Sequence, residues 1–301
     1  MRLYANAKIN LTLDVTAKRS DGYHEVSMIM QSLSLHDVLD IEQMQGDSII
    51  LTCDNNTLPC DDSNLIIRAS KALMSYTGHS NGLKMHLSKN IPMAAGLAGG
   101  SADAAAALVG INELMGYGLS MDELKSIGAK LGADIPFCIQ GGTCLAEGIG
   151  EILTPVDPMP DCSIVLVKPP FDVSTKYVYE HLDAIPYDKL KHPDTGKMVK
   201  LIRSGSLADI AAGIGNILEE VTVTGYPEIS DIKSALSSYG ALGVLMSGSG
   251  PTVYAIFDDR RKAEEATDEM SAGRNPDGSA RNTVYKQVHL CNPTHCGVAI
   301  V

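Results

Sequence analysis

At 301 residues, with 45% hydrophobic and 20% charged side chains, the chain has material for a soluble globular fold of about two domains. It has no Trp and only three Phe, so its core must rest on Leu, Ile, Val, Met and Ala. A net charge of −12 argues against nucleic acid as a partner, since such binding needs basic surface, and it obliges any anionic substrate to be held by local donors.

The start, Met1 to Val15, has scattered charges and no long apolar core, so no signal peptide is expected. No apolar run reaches the ~18 residues a membrane helix needs, so no membrane partner is expected either. Seven Cys, with no C-x-x-C pair, read as reduced thiols in a cytoplasmic protein. Cys291 to Cys296, with His295 between, fits no common zinc spacing, and no metal site is expected.

Lys8 to Val15 alternates with period two, a strand with Lys8, Asn10 and Thr12 on one face and Ile9, Leu11 and Leu13 on the other. A solvated polar face is the usual meaning of that pattern, and Lys8 alone reads equally as a surface lysine. Arg19 to Glu25 is a turn set by Asp21-Gly22, in which Tyr23 and His24 are unremarkable by themselves. Strands are expected over Ser27 to Leu35, Val38 to Gln43, Ser48 to Thr52 and Gly82 to Leu87. An amphipathic helix over Asn64 to Tyr76 carries Leu65, Ala69, Ala72, Leu73 and Tyr76 on one side.

The informative stretch is Asn90 to Met115. Asn90-Ile91-Pro92 turns the chain into Gly96-Leu97-Ala98-Gly99-Gly100-Ser101, and Ala102 to Met115 follows as helix with Ser101 as its N-cap. A glycine loop feeding a helix N-terminus collects free N–H donors and about half a positive charge, which suits a phosphate. The alternative is close helix packing, and for Ala104 to Ala107 packing is the reading. Neither G-x-x-x-x-G-K-[ST] nor G-x-G-x-x-G occurs, so a nucleotide site here is of another class.

Ser120 and Glu123 form a capping-box pattern before a helix. Asp134, between Ala133 and Ile135-Pro136, is a carboxylate in an apolar setting: a candidate base for a hydroxyl, or a helix N-cap. Gly141 to Leu153 reads as a strand pair broken at Gly148 to Gly150, and Pro155, Pro158 and Pro160 mark a domain boundary. Beyond it come a strand (Ser163 to Lys168), a helix (Ser174 to Leu182), a loop-like stretch over 186 to 200, and helices at Leu207 to Ala212 and Pro227 to Tyr239. Gly243 to Phe257 is strand, glycine turn and strand; Arg260 to Ala272 is helix and Thr283 to Leu290 a strand. That order is close to a ferredoxin-like layout.

Three blocks, Ala7-Lys8-Ile9-Asn10-Leu11, Pro92 to Ala107, and Met246 to Thr252, resemble the GHMP kinase superfamily (galactokinase, homoserine kinase, mevalonate kinase and relatives). Arg19 to His24, Gly132 to Pro136 and Glu147 to Pro155 resemble its branch that acts on a cytidine diphosphate-linked polyol. The resemblance covers residues 3 to about 257. It implies a two-domain α+β GHMP kinase fold, with a ribosomal-protein-S5-domain-2-like domain over 1–155 and a ferredoxin-like domain over 156–301, the last strand near 283–301 returning to the first. It implies ATP and Mg²⁺ as cofactors, and transfer to the 2-hydroxyl of cytidine diphospho-methylerythritol in non-mevalonate isoprenoid synthesis, by a monomer or homodimer.

By the same resemblance Lys8 and Asp134 match the catalytic pair, with Asp134 taking the proton. Asn10 matches a contact to methylerythritol, His24 the reader of the cytosine edge, and Tyr23 and Tyr179 aromatic neighbours of the base. Lys89, Pro92, Met93, Ala94, Ala95, Gly96, Leu97, Ala98, Gly99, Gly100, Ser101 and Ala102 match the ATP site, and Ser247, Gly248, Ser249 and Gly250 a second phosphate or substrate loop. Ala102 departs from the pattern: many loops carry a second Ser there, so a magnesium contact attributed to that hydroxyl is lost. The alternatives are another small-molecule kinase of the superfamily, for homoserine or phosphomevalonate, and a non-catalytic ligand sensor on the same fold. The Tyr23-His24 pair speaks against the first, and a retained Lys8 and Asp134 against the second.

Overall fold

The computed structural model describes residues 1–275, 278–280 and 283–301. Its first half runs β1 (Arg2–Lys18), β2 (His24–Met44), β3 (Ile49–Cys53), α1 (Leu65–Thr77), β4 (Gly82–Ser88), α2 (Gly99–Met115), α3 (Met121–Ala129), α4 (Ile135–Gln140), β5 (Thr143–Glu147) and β6 (Ile152–Pro155). The second runs β7 (Ser163–Lys168), α5 (Thr175–Leu182), α6 (Thr195–Ser204), α7 (Leu207–Gly213), β8 (Gly215–Asn216), α8 (Glu219–Gly225), α9 (Glu228–Ser238), β9 (Gly243–Met246), β10 (Val253–Phe257), α10 (Arg260–Ala272), β11 (Gln287–Cys291) and β12 (Val298–Ile300).

One sheet follows the order β12-β1-β2-β4-β3, with β5 and β8 joined to β2 and β1. The other has the order β11-β7-β10-β9, the ferredoxin-like arrangement, because the chain crosses over between β7 and β9 and again between β10 and β11. β12 returns to pair with β1 through Leu3, Tyr4 and Ala5.

Long β1 and β2 pair antiparallel, and the irregularities at Asn6/Lys8, Asn10/Thr12 and Val15/Ala17 divide β1 between two cores. Ala5, Ala7, Ile9 and Leu11 pack with α1 and α2, whereas Leu13 and Val15 pack with Met28, Met30 and the second sheet. The polar positions are not solvated as their alternation suggests: Lys8 is 5% exposed, and Asn10 and Thr12 are 0% exposed. The Ala run of α2 is packing, as read. Ala102 and Ala104 to Ala107 are wholly buried, and a Cβ on Gly110 would stand 2.8 Å from both Ile41 and Leu3.

Other expectations need correcting. Ser27 to Leu35 and Val38 to Gln43 form one strand, because Asp37 is spent on the amides of Asn90 and Ile91, 2.6 and 2.8 Å away, and makes no local turn. α6 begins inside the stretch read as loop and runs past its end: Gly196 hid it, yet Asp194 caps it by accepting from the Lys197 N–H at 2.8 Å. Of the face expected of α1, Leu65, Ala69, Ala72 and Leu73 pack on the core, joined by Ile66, Ile67, Ser70 and Met74, but Tyr76 is 52% exposed. The capping box at Ser120 and Glu123 forms in both directions. No described helix is long and apolar enough to cross a membrane.

Candidate active site

The loop before α2 is clamped on two sides. The Lys8 N–H donates to the Leu97 carbonyl at 3.1 Å, and Ser247 Oγ donates to the Gly96 carbonyl at 3.0 Å. Gly96 needs to be glycine: its φ is +74°, and a Cβ would lie 2.1 Å from the Ser247 carbonyl oxygen. Asn216 Nδ2 fixes that turn by donating to the carbonyls of Met246 and Gly248 at 2.9 and 2.8 Å. Ala94 and Ala98 also take positive φ, 48° and 57°, an uncommon and costly conformation for a residue with a Cβ, of the kind concentrated at binding loops.

Ser101 is not the N-cap. α2 begins at Gly99 with Ala98 as cap, and its first bond runs from the Ala102 N–H to the Ala98 carbonyl. The N–H groups of Gly99, Gly100 and Ser101 therefore have no partner within the helix, and these residues line the cleft. The Ser101 hydroxyl is freed from capping. Ala102, where the departure lies, is wholly buried in the core, so its missing hydroxyl takes nothing from the cleft.

The cleft has a volume of about 1130 Å³. Lys8, Asn10, Tyr23, His24, Lys89, Asp134 and Tyr179 line it, with Pro92, Met93, Ala94, Ala95, Gly96, Ala98, Gly99, Gly100, Ser101, Gly248 and Ser249. Leu97, Ala102, Ser247 and Gly250 do not line it; they brace the loops from behind. Asp134 occupies the N-cap position of α4, yet its side chain makes no capping bond there, so the carboxylate is left for the cleft. Lys8 Nζ donates to Asn10 Oδ1 at 2.8 Å and lies 3.6 Å from where a Gly248 Cβ would be. Both charges act on one buried thiol. Cys138 is pushed well above the ordinary thiol range by burial and then by Asp134, with Lys8 opposing. Tyr179 is raised to about 12, by burial first and the Asp134 charge second.

Lys89 lines the cleft beside the glycine loop, but its ammonium is already held. It pairs with Asp37 Oδ2 and, at 3.0 Å, with Asp103 Oδ2, all three side chains being at most 5% exposed. Asp103 Oδ1 is buried without a partner among the described residues. Burial pushes the Asp103 carboxyl well above its ordinary range, with Lys89 pulling it down and Asp37 pushing it further up.

Sequence reasoning missed Asp37, Asp103, Lys18, Asp183 and Thr175. Asp103 had a signal, an acid in the otherwise apolar run Ala102 to Leu108. The others had none, because their partners are distant in the chain: Asp183 meets His24 at 2.7 Å and Lys18 at 2.5 Å, and Thr175 meets Ser249 at 2.8 Å. All seven Cys are free thiols, and no described cluster of His, Cys, Asp and Glu fits a metal ion.

Residues 64–142 match the family of GHMP kinases N terminal domains, and residues 198–275 match that of GHMP kinases C terminal domains. The 4-diphosphocytidyl-2-C-methyl-D-erythritol kinase of Lachnoclostridium phytofermentans is 46% identical over 271 residues, covering 90% of this chain and 92% of the relative. That of Caldicellulosiruptor saccharolyticus is 46% identical over 270 residues, with coverage of 90% and 92%. A crystal structure of 4-(cytidine 5'-diphospho)-2C-methyl-D-erythritol kinase superimposes with a TM-score of 0.80 at 28% identity, covering 97% of this chain and 99% of that one. On this likeness of sequence, family domains and fold, the chain belongs to the 4-diphosphocytidyl-2-C-methyl-D-erythritol kinase family of the GHMP kinases.

Proposed function

We propose that this chain transfers the γ-phosphoryl group of ATP to the 2-hydroxyl of 4-diphosphocytidyl-2-C-methyl-D-erythritol, in the non-mevalonate route to isoprenoid precursors. The observation that carries the reading is the convergence of Lys8, the uncapped carboxylate of Asp134 and the open N–H groups of Gly99 to Ser101 in one cleft. The acceptor oxygen attacks the γ-phosphorus, the bond to the β–γ bridging oxygen breaks, and ADP leaves. Asp134 takes the hydroxyl proton. Lys8, oriented by Asn10, places positive charge beside the transferring group, and the loop N–H groups hold the phosphates of ATP. Little covalent chemistry is asked of the protein.

The donor set fits a magnesium ion carried in by the nucleotide. Such an ion keeps most of its waters and needs few protein oxygens, and here the Ser101 hydroxyl lines the cleft with no described carboxylate cage around it. When bound, Mg²⁺ neutralises phosphate charge. Tyr23, His24 and Tyr179 form the aromatic end of the cleft and receive the cytosine ring. Tyr23, 61% exposed, is left open for stacking.

Asp134→Asn tests the assignment. Turnover should fall by about 10²-fold or more, the usual contribution of a positioned base, while ATP binding stays near normal. Near-wild-type turnover would show that Asp134 is not the base.

A further inference from the structure

A chain of charge at the cleft rim takes no part in the transfer chemistry. Lys18 Nζ contacts Asp183 Oδ2 at 2.5 Å, and Asp183 Oδ1 lies 2.7 Å from His24 Nε2. Lys18 and His24 face each other across the turn between β1 and β2, while Asp183 is the C-cap of α5. Tyr179, also on α5, packs its ring on His24, with centroids 4.8 Å apart and 37° between the planes. The His24 side chain is 9% exposed, and its Nδ1 has no hydrogen-bond partner among the described residues.

A carboxylate can only accept, so His24 Nε2 must carry the hydrogen of that contact. In a neutral imidazole the other nitrogen is then a bare acceptor. Lys18 occupies the second oxygen of Asp183, so the carboxylate cannot rotate away without losing an ion pair. Burial alone would raise the Asp183 carboxyl; its hydrogen bonds to Lys18 and His24 outweigh that and hold it below its ordinary range, in the accepting form.

We propose that Asp183, locked by Lys18, is a positioning residue that fixes His24 in its Nε2–H tautomer, so that Nδ1 accepts from the amino group of a cytosine ring. Uracil presents a carbonyl oxygen at that place, and two acceptors would face each other. Asp183 thereby selects the base without touching it. The inference rests on the proposed acceptor, whose cytosine is what His24 would meet.

Two measurements test it. Nitrogen-15 correlation spectra of the imidazole rings, taken at alkaline pH on the neutral ring, should show the His24 proton on Nε2 in the free wild-type protein and a mixture of tautomers in Asp183→Ala. In steady-state kinetics Asp183→Ala should raise KM for the cytidine acceptor about tenfold, the scale of one hydrogen bond left unmade, with kcat and KM for ATP nearly unchanged. The preference for the cytidine acceptor over its uridine analogue should fall by a similar factor, and Asp183→Glu should restore part of it. A His24 proton on Nδ1 in the wild type, or undiminished base preference in a folded Asp183→Ala, overturns the proposal. If the wild type turns over neither acceptor, the proposed function fails, and the nitrogen-15 spectra still decide the tautomer.

Discussion

Replacing Asp37 by Asn removes one charge from the pair of carboxylates that hold Lys89. Asp37 is wholly buried and serves three donors: the ammonium of Lys89 on Oδ2, and the N–H groups of Asn90 and Ile91 on Oδ1. Asn keeps an oxygen for the two amides but turns an NH₂ group toward the ammonium. A hydrogen bond to a charged group contributes roughly 1.5–3 kcal/mol and a neutral one about 1 kcal/mol, so the two amides lose about 1 kcal/mol each and the Lys89 contact is lost outright. Relief of the repulsion with Asp103 offsets part of this. The net is a destabilisation of about 3 kcal/mol, at the lower end of what breaking a buried pair costs. Urea unfolding followed by circular dichroism reads it as a lower midpoint at unchanged slope. Because Asn90 and Ile91 lead into the loop proposed to hold ATP, KM for ATP should rise as well. A loss below about 1 kcal/mol would show that the carboxylate does not hold this region together.

Gly96→Ala should raise KM for ATP about tenfold or more, since its Cβ would meet two backbone oxygens, of Ser247 at 2.1 Å and Gly250 at 3.2 Å, that no rotamer change can move. An unchanged KM in an ADP-release assay would refute that close approach. Asp103 gives stability a definite pH dependence. Its folded carboxyl, raised chiefly by burial, keeps a proton above 3.8 that the unfolded chain has released. Its contribution is therefore complete below 3.8 and is lost as pH rises through the higher folded value. Urea series taken between about pH 4 and 7 should show a falling component in the wild type that Asp103→Asn lacks, and parallel curves would contradict it.

What was legible in the sequence is what local pattern controls. The Ser120–Glu123 box, the packing role of Ala104 to Ala107, and the strand, turn and strand around Ser247 to Gly250 follow from spacing and propensity. The glycine loop before α2 was legible for the same reason, although the helix starts at Gly99 and the unusual backbone falls on Ala94 and Ala98. The valuation of Lys8, Asn10 and Thr12 was not legible. Alternation says which residues share a face, but not that elements distant in the chain will cover it, as Thr195 of α6 does in donating to Thr12 Oγ1 at 3.3 Å. Tyr254, for instance, donates to the Asn10 carbonyl from β10, 244 positions away. The same holds for Asp37 and Asp183, whose partners Lys89 and His24 are 52 and 159 positions distant. Gly196 and Pro193 hid α6, where a single Asp194 cap outweighed two residues that usually mark a loop.

The central claim is the identity of the acceptor. A coupled ADP-release assay with ATP and Mg²⁺, offering 4-diphosphocytidyl-2-C-methyl-D-erythritol and homoserine in separate reactions, tests it most directly. The account predicts turnover with the cytidine compound and none with homoserine. Turnover with homoserine and none with the cytidine compound would contradict it.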